Sequence, residues 1–377
     1  MNRGDFPRLD GIHYLDSACM SLRPRQVIDK VEEYYTEYPS CPGRSNYSMA
    51  ERATEELESA RESVAELVGT APENIVLNSG TTEGINTVAR GFDFEDVVVS
   101  DREHNSNLLP WQERGAEITA IPTDDGFDFS RLKSEVSEGD MVSVVHTSNL
   151  DGYTLPVGEI VEAAHDRGAR VLVDAAQSVP HQPVDVEDIG ADFVAFSGHK
   201  MLGPSGTGVL YVDPEVQEEL GALNTGGGAV EDAGFETSEP KDFPHRMEAG
   251  LPNIAGLVGL GRAAEYISDI GMGRIHSHEQ ELSQRLRDGI GDIGSVSEVG
   301  REAPGVFSLA VDGVDPHQVS LMLDQRDIAV RSGMHCLHSW FHSRSQDPTV
   351  RASLHLYNNE NDIDALTQAL NQIAVLG

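Results

Sequence analysis

Lysine is scarce in this 377-residue chain. There are four, Lys30, Lys133, Lys200 and Lys241, among 27 basic residues, so arginine supplies the other 23. Cysteine is scarcer still, with only Cys19, Cys41 and Cys336. An odd, sparse set of thiols excludes a disulfide framework. No run reaches the roughly 18 apolar residues of a membrane helix, and the first residues carry no apolar signal core. Positive charge is outnumbered: 27 Lys+Arg stand against 63 Asp+Glu, for a net charge of −36. That balance excludes nucleic acid and anionic membranes as expected partners. Disorder is excluded too, because 39% of the residues are hydrophobic and they recur with steady periodicity. A soluble, cytoplasmic protein is expected, suited to a salt-rich (halophilic) interior. There, at about 1 M salt, a screening length of roughly 3 Å quiets a dense carboxylate surface.

What the chain does have is alternation. Helical spacing over 25–37, 50–68 and 157–167 is interleaved with short apolar runs at 74–78, 96–100, 118–121, 141–146, 170–174, 193–196 and 208–212. Strands of that kind, buried on both faces and separated by helices, predict an α/β fold with a mostly parallel sheet. Sites then fall at the carboxyl ends of the strands. After residue 250 the pattern changes. Helices are predicted over 255–270, 274–289, 317–324 and 361–374, and strands near 305–311, 328–330 and 352–356. This reads as a smaller α+β domain. The expected division is 1–20 as an N-terminal segment packing near the small domain, 21–254 as the large domain, and 255–377 as the small C-terminal domain. Residues 226–228 and 231–240 read as exposed loop.

Lys200 stands apart from the other lysines. It follows the apolar run Phe193-Val-Ala-Phe196 in the turn Ser197-Gly-His-Lys200, ahead of a glycine-rich segment. A lysine delivered into a cleft by a strand end can form a Schiff base with a carbonyl, the anchoring mode of pyridoxal phosphate. That cofactor also needs an acid for its pyridinium nitrogen, a donor near its phenolic oxygen, a flat group on the ring and a phosphate cup. Asp174 ends one apolar run and Gln177 follows it. His104 lies in Glu103-His-Asn-Ser-Asn107, and Gly80-Thr-Thr82 opens a helix after a strand. Ser197 and His199 flank the lysine. Each has a plainer reading: Asp174 as a helix cap, Gly-Thr-Thr as a capped helix start, Cys336 as a small structural residue. Zinc on Cys336, His338 and His342 is a further alternative, of loose spacing.

The order Gly80-Thr-Thr-Glu-Gly-Ile-Asn86, Glu103-His104, Asp174-Ala-Ala-Gln-Ser178 and Ser197-Gly-His-Lys200 resembles the class V aminotransferase-like enzymes of fold type I. The resembling branch is that of the cysteine desulfurases and selenocysteine lyases. Tyr14-Leu-Asp-Ser-Ala, Arg52-Ala-Thr, Val330-Arg-Ser-Gly-Met-His-Cys336 and Val350-Arg-Ala-Ser353 belong to the same match. The resemblance implies pyridoxal 5′-phosphate on Lys200, which also shuttles the proton. It implies Asp174 at the pyridinium, Gln177 at the phenolic oxygen and His104 stacked on the ring. It places Thr81, Thr82, Ser197 and His199 at the phosphate, and Asn149 near substrate and cofactor. Arg351 takes the substrate carboxylate, and Arg331 and Arg44 lie on the substrate side. Cys336 becomes the thiol that takes sulfur from L-cysteine, leaving L-alanine and a persulfide for iron–sulfur or other sulfur cofactors. A homodimer and a sulfur-acceptor protein are implied as partners, and no metal. Other class V chemistries (aminotransferase, epimerase, selenocysteine lyase) and a non-catalytic scaffold stand as alternatives. Two positions depart from the family pattern. Leu251 replaces a threonine that reaches the partner subunit's phosphate, and Gly43 replaces a histidine before Arg44. Cys41, three residues before Arg44, reads equally as a second thiol or a plain loop cysteine.

Overall fold

Short runs of Val, Ile, Leu and Phe, too brief for helices and apolar at nearly every position, form a seven-stranded sheet in the computed structural model, which describes residues 3–375. Its strands are β1 (Ile75–Asn78), β2 (Val97–Ser100), β3 (Ile118–Ile121), β4 (Met141–Val145), β5 (Arg170–Asp174), β6 (Phe193–Ser197) and β7 (Gly208–Val212). The spatial order is β1-β7-β6-β5-β4-β2-β3. All run parallel except β7, which is antiparallel to both β1 and β6.

The unbroken apolar runs follow from burial on two sides. On β5, Val171 and Val173 enter one core while Leu172 enters the other. On β6, Val194 and Phe196 face one way, Phe193 and Ala195 the other. Each such Val, Leu or Phe side chain contributes about 1.5–3 kcal/mol on burial. The first core is completed by Val64 of helix Ser48–Leu67, Ile160 of Val157–His165 and Leu257 and Leu260 of Ile254–Ile270. The second is closed by Ile85 and Val88 of helix Thr81–Gly91 and by Trp111.

A second sheet lies toward the C-terminus: β8 (Val296–Val299), β9 (Val306–Val311), β10 (Arg331–Gly333) and β11 (Thr349–Ser353), antiparallel, in the order β8-β9-β11-β10. Leu286 of helix Met272–Gly291, Leu309 of β9 and Leu366 of helix Glu360–Ala374 share its core. Leu15 joins that core too, and His13–Tyr14 pairs in parallel with Ile328–Ala329. The chain from 16 to 22 is thereby led across toward the carboxyl ends of the large sheet.

Several elements differ from the sequence expectation, among them short helices at Leu109–Arg114, Val186–Ile189 and His338–Ser343 and the strand Arg331–Gly333. The strand expected at 352–356 is Thr349–Ser353. It leaves the sheet where Ser353 meets Val306, the first residue of its partner strand. Strand Val296–Val299 was not anticipated, and its half-exposed, mixed residues give no clear alternation. The expected loop 231–240 carries an exposed two-stranded hairpin, Val230–Ala233 with Ser238–Pro240, whose acidic residues hide the pattern.

Candidate active site

Five of the parallel strands end at one cavity of about 210 Å³, and the turns after them supply its walls. Strand β6 runs out into a 3-10 turn, Gly198–Lys200, so the Lys200 side chain enters the cavity from its floor. Burial pushes the lysine ammonium down, partly offset by the Asp174 carboxylate. A buried amine so depressed is more readily the free nucleophile and base. Behind it, His355 Nε2 lies 3.2 Å from the Lys200 carbonyl oxygen.

Asp174 closes β5 and is 4% exposed. Burial raises its pKa, and Lys200 and the Ala176 N–H, which donates to it at 3.0 Å, hold it back. Gln177 donates from Nε2 to the Ala18 carbonyl at 2.8 Å, and its buried Oε1 has no partner.

From β1 the chain turns at Gly80, φ +145°, into helix Thr81–Gly91. A Cβ on Gly80 would stand 3.1 Å from Ser197 Oγ, so glycine is what admits the close approach. The Thr81 N–H donates to Ser197 Oγ at 2.8 Å, the Thr81 and Ser197 hydroxyls are 2.7 Å apart, and Thr82 Oγ1 donates to Ser106 Oγ at 2.9 Å. These hydroxyls sit at the positive end of a helix of 11 residues.

His104 follows β2. Its Nδ1 accepts the Ser106 N–H at 3.1 Å, which leaves the proton on Nε2. Burial, then Lys200, Arg351, Arg331 and His338, push its pKa down to about 3, so the ring is neutral across the neutral range. His199 is likewise pushed down to about 4, chiefly by burial.

The second sheet supplies the opposite wall. Arg351 of β11 is fully buried. Its Nη1 donates to the Asn149 carbonyl at 3.0 Å, Nη2 reaches Asp16 at 3.4 Å, and Nε has no partner. Asn149 Nδ2 donates to the His335 carbonyl at 2.8 Å. His335 and Cys336 both adopt left-handed backbone, φ +51° and +64°. Such a pair of non-glycine residues is held by its surroundings. The holds are Asn149, the Asn105 N–H on the Cys336 carbonyl at 2.8 Å, and His335 Nε2 at 2.8 Å from Thr349 Oγ1. Cys336 Sγ lies 3.4 Å from Arg331 Nη2, and Arg331 Nη1 lies 3.6 Å from Cys19 Sγ.

Thr81, Thr82, His104, Asn149, Asp174, Gln177, Ser197, His199, Lys200 and Arg331 thus share one cavity, with Arg351 and Cys336 at its far side. Arg44 does not join them. It lines a separate cavity with Cys41, Lys241, His245 and Leu251, and Leu251 is 69% exposed. Cys336, His338 and His342 do not converge either: Sγ is turned to Arg331 and His338 Nδ1 to Asn105. Among the described residues, the group whose ligand atoms do cluster is His181, Glu279 and His355, behind Lys200. Sequence reasoning also missed Cys19, Ser106 and Thr147, which line the main cavity. The only signal for Cys19 was its position just after Tyr14-Leu-Asp-Ser-Ala.

The family model for class-V aminotransferases matches residues 13–366, and the chain belongs to that family. A probable cysteine desulfurase of Methanothermobacter thermautotrophicus is 41% identical, over 100% of this chain and 98% of that protein. A cysteine desulfurase of Haloferax volcanii is 37% identical, over 95% and 88%. The solved apo cysteine desulfurase of Thermococcus onnurineus superposes with a TM-score of 0.95 at 35% identity, covering 100% of this chain and 98% of that one. The Escherichia coli cysteine desulfurase CsdA gives 0.93 at 31%, covering 99% and 98%. Within its family the chain falls among the cysteine desulfurases. No helix among the described residues is long and apolar enough to cross a membrane.

Proposed function

We propose that this cavity holds pyridoxal 5′-phosphate on Lys200 and removes the sulfur of L-cysteine, giving L-alanine and a persulfide on Cys336. One observation carries the reading: a lysine with a depressed pKa and a buried carboxylate face each other across a cavity whose rim carries a helix N-terminus and two paired hydroxyls. The donor set fits the cofactor. Asp174 accepts one backbone N–H and has capacity left for a pyridinium N–H. Thr81, Thr82, Ser197 and His199 offer hydroxyls and N–H groups for phosphate, and neutral His104 suits a stacked ring. Bound there, the cofactor supplies an electron sink for a proton lost from the amino acid's Cα.

The chain's own groups do the rest. Arg351 and Asn149 hold the substrate carboxylate, Arg351 through a guanidinium that burial has stripped of water. Lys200 Nζ takes the proton from Cα. The Cys336 thiolate attacks the substrate sulfur: an Sγ–S bond forms, the C–S bond breaks, its electron pair returns to carbon, and a proton completes alanine. Arg331, 3.4 Å from Sγ, sets a positive charge beside the attacking sulfur. Sulfur then passes to an acceptor protein, for iron–sulfur clusters or other sulfur cofactors.

We infer a cytoplasmic homodimer. Arg44, Cys41 and exposed Leu251 together form a polar and apolar surface apart from the main cavity, suited to face a second copy. We also infer two units, 21–254 and 255–377, with 1–20 against the smaller. The pairing of His13–Tyr14 with Ile328–Ala329 supports that placement for the described part of the segment, 3–20, whereas helix Ile254–Ile270 packs on the larger unit's core and favours a boundary after 270.

The test uses the protein with pyridoxal phosphate, L-cysteine and dithiothreitol, the reductant that frees the persulfide sulfur as sulfide, in concentrated KCl, measuring alanine and sulfide. Alanine and sulfide in equal amounts are expected, with both lost in Cys336→Ser although the cofactor stays bound. Borohydride reduction and peptide mapping should find the cofactor at position 200. Amino transfer to a keto acid without sulfide, or a reduced adduct at another residue, would overturn the reading.

A further inference from the structure

Two cysteines, 317 positions apart in sequence, meet the two arms of one guanidinium: Arg331 Nη1 is 3.6 Å from Cys19 Sγ, and Nη2 is 3.4 Å from Cys336 Sγ. Of the two, Cys19 is the one that lines the cavity with Lys200, His104 and Gln177. Its position is fixed. The Cys19 N–H donates to the Asp16 carbonyl at 3.1 Å, the neighbouring Ala18 carbonyl accepts from Gln177 at 2.8 Å, and the Ala18 N–H donates to Ser353 Oγ at 2.9 Å. Two residues on, the Ser21 N–H donates to the His199 carbonyl at 2.9 Å. The segment is pinned on both sides of the sulfur, so the two thiols are held near each other by the fold.

Positive charge stands beside both sulfurs. Arg331 faces both sulfurs, Lys200 shares the cavity wall and Arg351 stands behind, against the carboxylates of Asp16 and of Asp174 in the same cavity. Thiolate character and access decide how fast sulfur moves between thiols.

We propose that Cys19 is a second sulfur-carrying thiol of this site, taking the sulfane sulfur from Cys336 across Arg331. The inference rests on the Cys336 persulfide proposed above. The Cys19 thiolate attacks the terminal sulfur of that persulfide. A new S–S bond forms at Cys19, the S–S bond at Cys336 breaks, and its electron pair leaves as the Cys336 thiolate opposite Arg331. One thiolate enters and one leaves, the sulfur keeps its proton, and neither oxidant nor reductant is consumed. Exchange between two thiols in like surroundings is close to thermoneutral. It frees Cys336 for a second substrate while the first sulfur is held at the cavity wall. Without an acceptor, each protomer then stores two sulfurs.

The experiment uses the cofactor-loaded protein, given a short pulse of L-cysteine, alkylated and mapped by non-reducing mass spectrometry. An added sulfur is expected on the Cys19 and Cys336 peptides of the wild type, only on Cys336 in Cys19→Ser, and on neither in Cys336→Ser. The fast phase of alanine release should fall about two-fold in Cys19→Ser and in Cys19→Ala, with the cofactor absorption band unchanged as the check on folding. Sulfur found on Cys336 alone in the wild type overturns the relay and leaves the Cys336 reading standing. A Cys19–Cys336 disulfide with release of sulfide also overturns it, since Cys19 would then attack the inner sulfur. Sulfur on Cys19 in Cys336→Ser overturns the order of transfer. Alanine formed with no sulfur on Cys336 at any time sinks the underlying reading instead.

Discussion

Arg351 shows how much a single side chain depends on its confinement. It is fully buried, its Nε has no partner, and Asp16 at 3.4 Å only partly answers its charge. A buried guanidinium left short of partners is poised for a planar anion, and the carboxylate of an amino acid supplies one. Arg351→Lys keeps the charge and loses the fork. A hydrogen bond to a charged group is worth about 1.5–3 kcal/mol, so KM for cysteine should rise roughly ten- to hundred-fold, with the cofactor band intact. Steady-state kinetics beside an absorption spectrum check it. The buried histidines give a second expectation. Burial pushes His146 from 6.5 down to about 4, and its Nδ1 has no partner. The unfolded chain therefore takes the proton first as the pH drops. Stability is whole above about pH 6.5 and is lost as pH falls toward 4, by about 3 kcal/mol for this residue. Thermal melts at fixed high salt should show Tm falling through that window, with a shallower slope in His146→Gln. At this scale sequence discloses chemistry better than proximity. Lys200 and Asp174 announce themselves at strand ends, whereas Cys19 meets Arg331 only because His13–Tyr14 pairs with Ile328–Ala329, and no local pattern encodes that.

At the scale of elements, legibility tracks burial. The strands of the large sheet are readable because both faces are covered, so Met141-Val-Ser-Val-Val145 and Phe193-Val-Ala-Phe196 stay apolar or small throughout. The strand Val296–Val299 and the hairpin at 230–240 are half or wholly exposed, and their polar residues erase the period of two. The C-terminal strand was misplaced by three residues because Leu354 and Leu356 are as buried as the strand itself. Burial continues there after the partner strand has run out. The junction of β1, β6 and β7 shows what the elements do for the site. Gly208 opens β7 opposite Asn78 and Ser197, and a Cβ there would lie 2.3 Å from Gly80 Cα and 2.8 Å from the Phe196 carbonyl oxygen. Both neighbours are backbone and cannot turn aside. Gly208→Ala should cost about 1–3 kcal/mol and spread the turn that brings Thr81 to Ser197. Tm should drop and the affinity for free pyridoxal phosphate should weaken together. A lower Tm with unchanged affinity would separate this glycine from the phosphate cup.

For the whole molecule the governing quantity is charge. A surplus of 36 negative charges on 377 residues repels itself in the compact state and less so in the expanded chain. The ion pairs that oppose it are mostly at the surface, such as Arg285 with Asp364 at 2.8 Å and Arg262 with Glu265 at 2.9 Å. Exposed pairs of that kind contribute about 0–1 kcal/mol each and are themselves screened by salt. Repulsion is long-ranged and the pairs are short-ranged, so salt removes more of the first than of the second. The screening length falls from about 10 Å at 0.1 M to about 3 Å at 1 M. Tm should therefore climb steeply with KCl over that interval and level off beyond it. Sucrose, which is excluded from the surface but screens nothing, separates the electrostatic effect from general exclusion. If charge governs, equal osmolality of sucrose recovers only a minor part of the gain. Acid provides the cross-check. At 0.1 M KCl, lowering the pH toward the carboxylate range removes negative charge and should offset the histidine loss, whereas at 2 M KCl the histidine loss should stand alone. A Tm as high at 0.1 M as at 1 M KCl would mean that surface charge has no hold on the stability of this fold.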